Sequence, residues 1–152
     1  MDISWETPLH PGGMATLATT EPADAADDVT AAADAILRAY RDGDDAAYLA
    51  AFAPDATFVL PGEPRRLDAA DAYRARLRTL RVRHGYRVLA ATSANRHVRR
   101  YGDTAVLTHD LRTTATADGA TRTTDERETI VFAYDTYGFR VAVHLHRSPL
   151  QA

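Results

Sequence analysis

The sequence predicts an α+β fold in which helices cover one face of an antiparallel sheet. Apolar residues recur at helical spacing between Val29 and Tyr40, strand-like alternation runs from Tyr86 to Ser148, and Asp118-Gly119 marks a tight turn inside that run. Helices come first and consecutive strands follow, which is the order of a sheet covered on one side rather than of parallel βαβ units.

At 152 residues the chain has the length of one domain around a single core. Its 45% hydrophobic and 26% charged residues exclude wholesale disorder and fibrous repeats. A formal net charge of -3 gives no drive toward nucleic acid or an anionic membrane, so neither is an expected partner. With no cysteine, a disulfide framework and a thiolate metal site are both excluded. The opening MDISWETPLHPGG carries acids and prolines where a secretory signal needs a basic and then an apolar run. No stretch approaches the roughly 18 apolar residues of a membrane span, and a cytoplasmic protein is expected.

Residues 1–23 mix Pro, Gly, Thr and Ala without periodicity, the pattern of a flexible arm with Trp5 as its one anchoring residue; the domain is expected over 24–152. Val29, Ala32, Ala33, Ile36, Leu37 and Tyr40 form the stripe of a first helix, with acids at its start and Arg38 and Arg41 at its end. Gly43 closes it, and Asp44 caps a short second helix presenting Tyr48, Leu49 and Phe52, which Pro54 stops. Ala56 to Leu60 reads as a short strand ended by Pro61-Gly62. A third helix starts at Asp68 or Asp71 and shows Ala72, Tyr73, Arg76, Leu77 and Leu80 on one side. Arg74, Arg76, Arg78, Arg81 and Arg83 make it basic, as a solvated face or as an attractor for an anionic ligand. Strand segments follow at Tyr86–Ala94 and Arg96–Tyr101, before a turn at Gly102-Asp103.

A type I′ turn at Asp118-Gly119 fixes a register by counting outward. It sets Leu111 opposite Glu126, His109 opposite Glu128, Leu107 opposite Ile130 and Ala105 opposite Phe132 on one face. Asp110 with Arg127 and Thr108 with Thr129 fall on the other. A second turn near Asp135 to Gly138, with a loop of two or four residues, would put Leu145 opposite Glu128 and Val143 opposite Ile130, so that Val141, Val143 and Leu145 join the first face. That face is mostly apolar, and the Glu128 carboxylate and the His109 imidazole sit inside it. The opposite face gathers Thr108, Asp110, Arg127, Thr129, His144 and His146.

The opening AILRAYRDGDDAAYLAAFAPDATFVLPG and the ending ETIVF followed by VAVHLHRS resemble the nuclear transport factor two-like superfamily, in particular its SnoaL-like proteins and the association domain of calmodulin-dependent kinase. The resemblance covers about Asp27 to Ser148. It implies a cone, a curved sheet wrapped around three N-terminal helices and enclosing an apolar pocket, with a sheet surface used for homodimerisation. It also implies one of the family's activities, among them polyketide cyclases, a ketosteroid isomerase, dehydratases and epoxide hydrolases, or else a role confined to binding or assembly. Ile130 stands where the association domain has an arginine, while Arg147 matches another arginine of that domain's anion-binding pocket.

The site expected from the residues is the catalytic pair His109 and Glu128, with Leu107, Ile130 and Val143 as apolar walls of a substrate pocket. A carboxylate in an apolar cavity is disfavoured as an anion and a neighbouring imidazole is favoured as a cation, so the pair titrates as a unit and can move a proton. That suits cyclisation, isomerisation or elimination on a hydrophobic polyketide-like or terpenoid-like small molecule of secondary metabolism, including opening of an epoxide by an internal hydroxyl, with no cofactor. The same pair also reads as an ordinary cross-strand charge pair. Tyr48 and Tyr86 read as hydrogen-bond donors to substrate or as core aromatics, and Arg147 as a binder of an anionic oxygen or as a carboxylate's partner. His144 and His146 share a strand face but lack a full ligand set, so no metal site is expected.

Overall fold

The computed structural model describes residues 23–134 and 140–150. The expected arm with Trp5 and the second turn near Asp135 to Gly138 lie outside them. Helix α1, Ala23–Asp42, buries Val29, Ala33 and Ile36 of the expected stripe together with Ala39, while Ala32, Leu37 and Tyr40 are half-buried. Asp44 accepts a hydrogen bond from the Ala47 backbone at 3.0 Å and so caps α2, Asp45–Ala50, which buries Tyr48 and Leu49.

Strand β1, Phe52–Val59, begins earlier than expected and contains Pro54. It lies at one edge of the sheet, and its pairing is interrupted between Phe52 and Thr57, so the missing Pro54 donor breaks no ladder bond. Helix α3, Ala70–His84, buries Ala70, Tyr73 and Leu77. Four longer strands complete the chain: β2, Arg87–Tyr101; β3, Thr104–Ala117; β4, Ala120–Tyr134; and β5, Arg140–Pro149. The two expected segments before Gly102 are therefore one strand. An irregularity between Ala94 and His97 marks their junction, where Asn95 adopts a left-handed φ of 54°.

The five strands form one open sheet in the order β1-β5-β4-β3-β2, antiparallel except for the parallel β1–β5 pair. The β3–β4 hairpin has the predicted register along its whole length: Ala117 faces Ala120, Leu111 faces Glu126, His109 faces Glu128 and Leu107 faces Ile130. Both turn residues have positive φ, 54° at Asp118 and 77° at Gly119, as the type I′ geometry requires.

The β4–β5 register differs from expectation. Glu128 faces Arg147, not Leu145, and Ile130 faces Leu145, not Val143. Tyr134 and Arg140 bound a longer connection than the two or four residues assumed, which moves the partners of Phe132, Ala133 and Tyr134 by one position; the shift reaches two positions at Ile130 and Glu128, where each side chain keeps its expected face. A bulge then breaks the alternation: Val131 faces His144 and Phe132 faces Ala142, leaving Val143 as the extra residue. Ala142 is buried in consequence, while Val141 and Val143 are half-buried and leave the inner face.

The helices pack on the inner face, α1 against β2 and β5, and α3 against β1. Leu107, Ile130, Phe132 and Leu145 meet Val29, Ile36 and an aromatic cluster there. Within that cluster the ring centres of Phe58 and Tyr73 are 4.7 Å apart and those of Tyr48 and Tyr73 are 5.7 Å apart. The outer face carries exposed ladder pairs, Asp110 with Arg127 at 3.0 Å and Arg112 with Asp125 at 2.8 Å.

Candidate functional site

His109 and Glu128, brought opposite by the hairpin, are 3% and 4% exposed, and the His109 Nε2 donates to Glu128 Oε1 at 2.8 Å. The other oxygen, Oε2, accepts from Arg147 Nε at 2.9 Å and Nη2 at 2.6 Å. Arg147 arrives from β5 through the shifted register. Its Nη2 also reaches the Tyr48 hydroxyl at 3.5 Å, which lies 3.3 Å from that of Tyr73.

Behind His109, Ser93 Oγ lies 2.6 Å from Nδ1 and accepts from Arg96 Nε at 2.8 Å. Arg96 in turn donates to Asp34 of α1 at 2.7 Å. Every polar atom here is satisfied when Ser93 gives its hydroxyl proton to Nδ1 and the ring hydrogen on Nε2 goes to Glu128.

Burial pushes the Glu128 carboxyl up, but Arg147 and His109 outweigh it and hold the group below the usual carboxylate range. Burial likewise opposes the charge of Arg147, and Glu128 leads the groups that keep it protonated far above the ordinary range. The expectation of a raised carboxyl therefore fails at Glu128, because it assumed apolar neighbours where the shifted register supplies a guanidinium. Burial also raises the Tyr48 hydroxyl well above its usual value, which makes it a hydrogen-bonding group rather than an acid.

An open cavity of about 620 Å³ lies beside this network, with Tyr40, Tyr73, Tyr86, Thr113, Glu126 and Arg147 among its lining. His109 and Glu128 do not reach it. They line a separate void of about 10 Å³, together with Tyr48 and Ile130, and that space is no larger than one water. Arg147 and Tyr40 border both spaces, with the guanidinium 5.1 Å from the Tyr40 ring centre. Of the predicted substrate contacts, Tyr86 and Arg147 line the cavity; Tyr48 and Ile130 line only the void, and Leu107 and Val143 line neither.

Sequence reasoning missed Tyr40, Thr113 and Glu126. For Glu126 the signal was present, since it shares the face of Glu128 two residues along the strand. Its carboxyl is raised by burial, an effect that Arg147 partly offsets. His144 is hydrogen-bonded through Nδ1 to Thr57 at 2.6 Å. Among the described residues, no group of three or more His, Asp or Glu side chains is placed to hold a metal, and no helix is long and apolar enough to cross a membrane.

The hub domain of S. rosetta CaMKII is 26% identical, with 86% of this chain and 100% of that one aligned at a TM-score of 0.71. A putative dehydratase of the NTF2-like family from Streptomyces avermitilis is 20% identical over 87% of this chain and 100% of its own, with a TM-score of 0.72. A ketosteroid isomerase-like protein from Erwinia carotovora atroseptica is 18% identical over 83% and 96%, with a TM-score of 0.70. The last two share the fold alone, the NTF2-like cone of N-terminal helices and a curved, unclosed sheet. No curated relative matches the sequence. The family pattern of the SnoaL-like domain matches residues 29–152, which is most of the chain, and the chain belongs to that family.

Proposed function

We propose that the protein is a cofactor-independent enzyme of secondary metabolism that cyclises or isomerises a hydrophobic polyketide-like or terpenoid-like molecule by proton transfer, epoxide-opening ring closure included. The observation that carries this is the 620 Å³ cavity ending on Arg147, a volume in the usual range for small-molecule sites. Tyr40 and Tyr86 offer ring faces for an apolar body, and Arg147 offers fixed positive charge for an oxygen that gains electron density during reaction. His109 and Glu128 act through Arg147: they hold the guanidinium in place without touching substrate. Preorganised charge of this kind stabilises a transition state without reorganising as the reaction proceeds.

A thermal-shift screen with polyketide-type and epoxide-bearing metabolites, followed by product analysis by mass spectrometry, tests the reading. A ligand that stabilises the wild type, is converted by it, and does neither with the Glu128→Leu/Arg147→Met double variant, which leaves no member of that pair buried and unpaired, supports it. If no metabolite of either class stabilises the protein, the reading falls.

The hub neighbour at 26% identity and the resemblance of the VHLHRS ending to the kinase association domain favour a second reading, a cytoplasmic binding or assembly domain that forms homodimers. Sedimentation velocity separates the two, since a ligand-indifferent oligomer without turnover belongs to the second alone.

A further inference from the structure

We infer that Glu126 is the general base of the cavity, and that its substrate class is a carbon acid whose developing oxyanion lies against Arg147. This rests on the enzyme reading and gives its proton transfer a specific group.

The inner face of β4 presents two carboxylates to the same arginine, and their situations differ. Glu128 is sealed, with both oxygens taken by His109 and Arg147. Glu126 lines the open cavity, its side chain is 14% exposed, and its nearest cationic partner, Arg147 Nε, is 3.8 Å away, beyond hydrogen-bonding distance. Among the described residues its carboxylate makes no hydrogen bond, and Nη1 of Arg147 makes none either. One carboxylate thus fixes the guanidinium while the other stands free beside it, so a base and an oxyanion partner face the same space. Burial raises Glu126, which strengthens it as a base relative to a solvated carboxylate.

In the reaction a C–H bond α to a carbonyl breaks and the proton passes to Glu126. The C–H electron pair becomes the C=C of an enolate, whose oxygen rests on Arg147. Glu126 then returns the proton to another carbon of a conjugated system, completing an isomerisation. Where a β-hydroxyl is present, the enolate instead expels it and Glu126 protonates it as water. No electron acceptor is needed in either case.

A simple carbon acid tests this without the natural substrate. In 5-nitrobenzisoxazole a base removes the C3 proton, the N–O bond breaks, and a nitrile and a coloured phenolate form in one step. The isosteric 5-nitroindazole cannot react and reports binding by quenching of intrinsic fluorescence. Rates are compared at saturating probe. The wild type should exceed the rate given by an equal concentration of acetate, and Glu126→Gln should lose the excess by about a hundredfold while still binding the indazole. Glu126→Asp should recover part of it, which guards against a folding defect in the glutamine variant. An undiminished rate in Glu126→Gln, or a wild type that binds the indazole without accelerating the reaction, overturns the role of Glu126 and leaves the cavity reading intact. A wild type that neither binds nor accelerates overturns both.

Discussion

Arg147 sets two nitrogens on a single oxygen of Glu128, Nε at 2.9 Å and Nη2 at 2.6 Å, and leaves the other oxygen to His109. Three strands supply the three side chains, so the bonding ties β3, β4 and β5 together under the helices. Removing both charges from water is costly, and such a pair contributes little net stability compared with apolar residues of similar size; breaking it leaves one buried charge without compensation.

Single substitutions should therefore be far worse than the double one. Arg147→Met and Glu128→Leu should each lose about 3 to 5 kcal/mol in urea denaturation, and the Glu128→Leu/Arg147→Met double variant should regain most of that loss. Additive losses in the double variant would contradict a coupled pair.

Acid stability should separate the two carboxylates. Glu128 is depressed in the folded protein, so its stabilising contribution is complete above the unfolded value of about 4.3 and is lost as pH falls through the lower folded value. Glu126 has the opposite sign. Its raised folded value means that its contribution is complete below about 4.3 and is lost as pH climbs through the raised value. Denaturation midpoints measured from about pH 3 to about pH 8 should fall more steeply on the acid side for the wild type than for Glu128→Gln. Glu126→Gln should instead gain relative to the wild type toward neutral pH. Parallel curves for all three proteins would refute the assignment.

The Asp118-Gly119 turn holds the register that creates the site. Gly119 has φ 77°, so Gly119→Ala places a side chain in the left-handed region and should cost about 1 to 2 kcal/mol. Asp118→Asn, which tolerates that region as well, should stay within about 0.5 kcal/mol of wild type. A neutral Gly119→Ala in equilibrium unfolding would mean that the hairpin accepts another turn.

This turn also marks how far the sequence could be read. A two-residue loop that needs positive φ leaves one register, and counting from it placed His109 on Glu128 and kept Asp110 with Arg127 on the outer face. The partner of Glu128 on β5 was out of reach, because neither the length of the Tyr134–Arg140 connection nor the bulge at Val143 is written in the alternation of apolar residues. Pro54 misled in a similar way: it reads as a helix stop, yet an interrupted edge strand accommodates it. The cavity was illegible for a different reason. Tyr40 from α1, Tyr86 after α3 and Glu126 from β4 meet only through tertiary packing, whereas the facing of Glu126 followed from its period-two relation to Glu128.

Ser93 should determine the state of His109. It sits beside the bulge at Asn95, and its hydroxyl is the link between Arg96 and Nδ1. With Ser93 donating, Nδ1 carries no hydrogen and the ring hydrogen on Nε2 is directed at Glu128. Long-range ¹⁵N–¹H spectra of the imidazole should accordingly show an unprotonated Nδ1 in the wild type at neutral pH. Ser93→Ala removes the donor and leaves Nδ1 buried without a partner, at a cost of about 1 to 3 kcal/mol, and should shift the Nδ1 resonance while the Glu128 bond to Nε2 persists. A hydrogen on Nδ1 in the wild type would mean that Ser93 accepts rather than donates and would overturn the assignment.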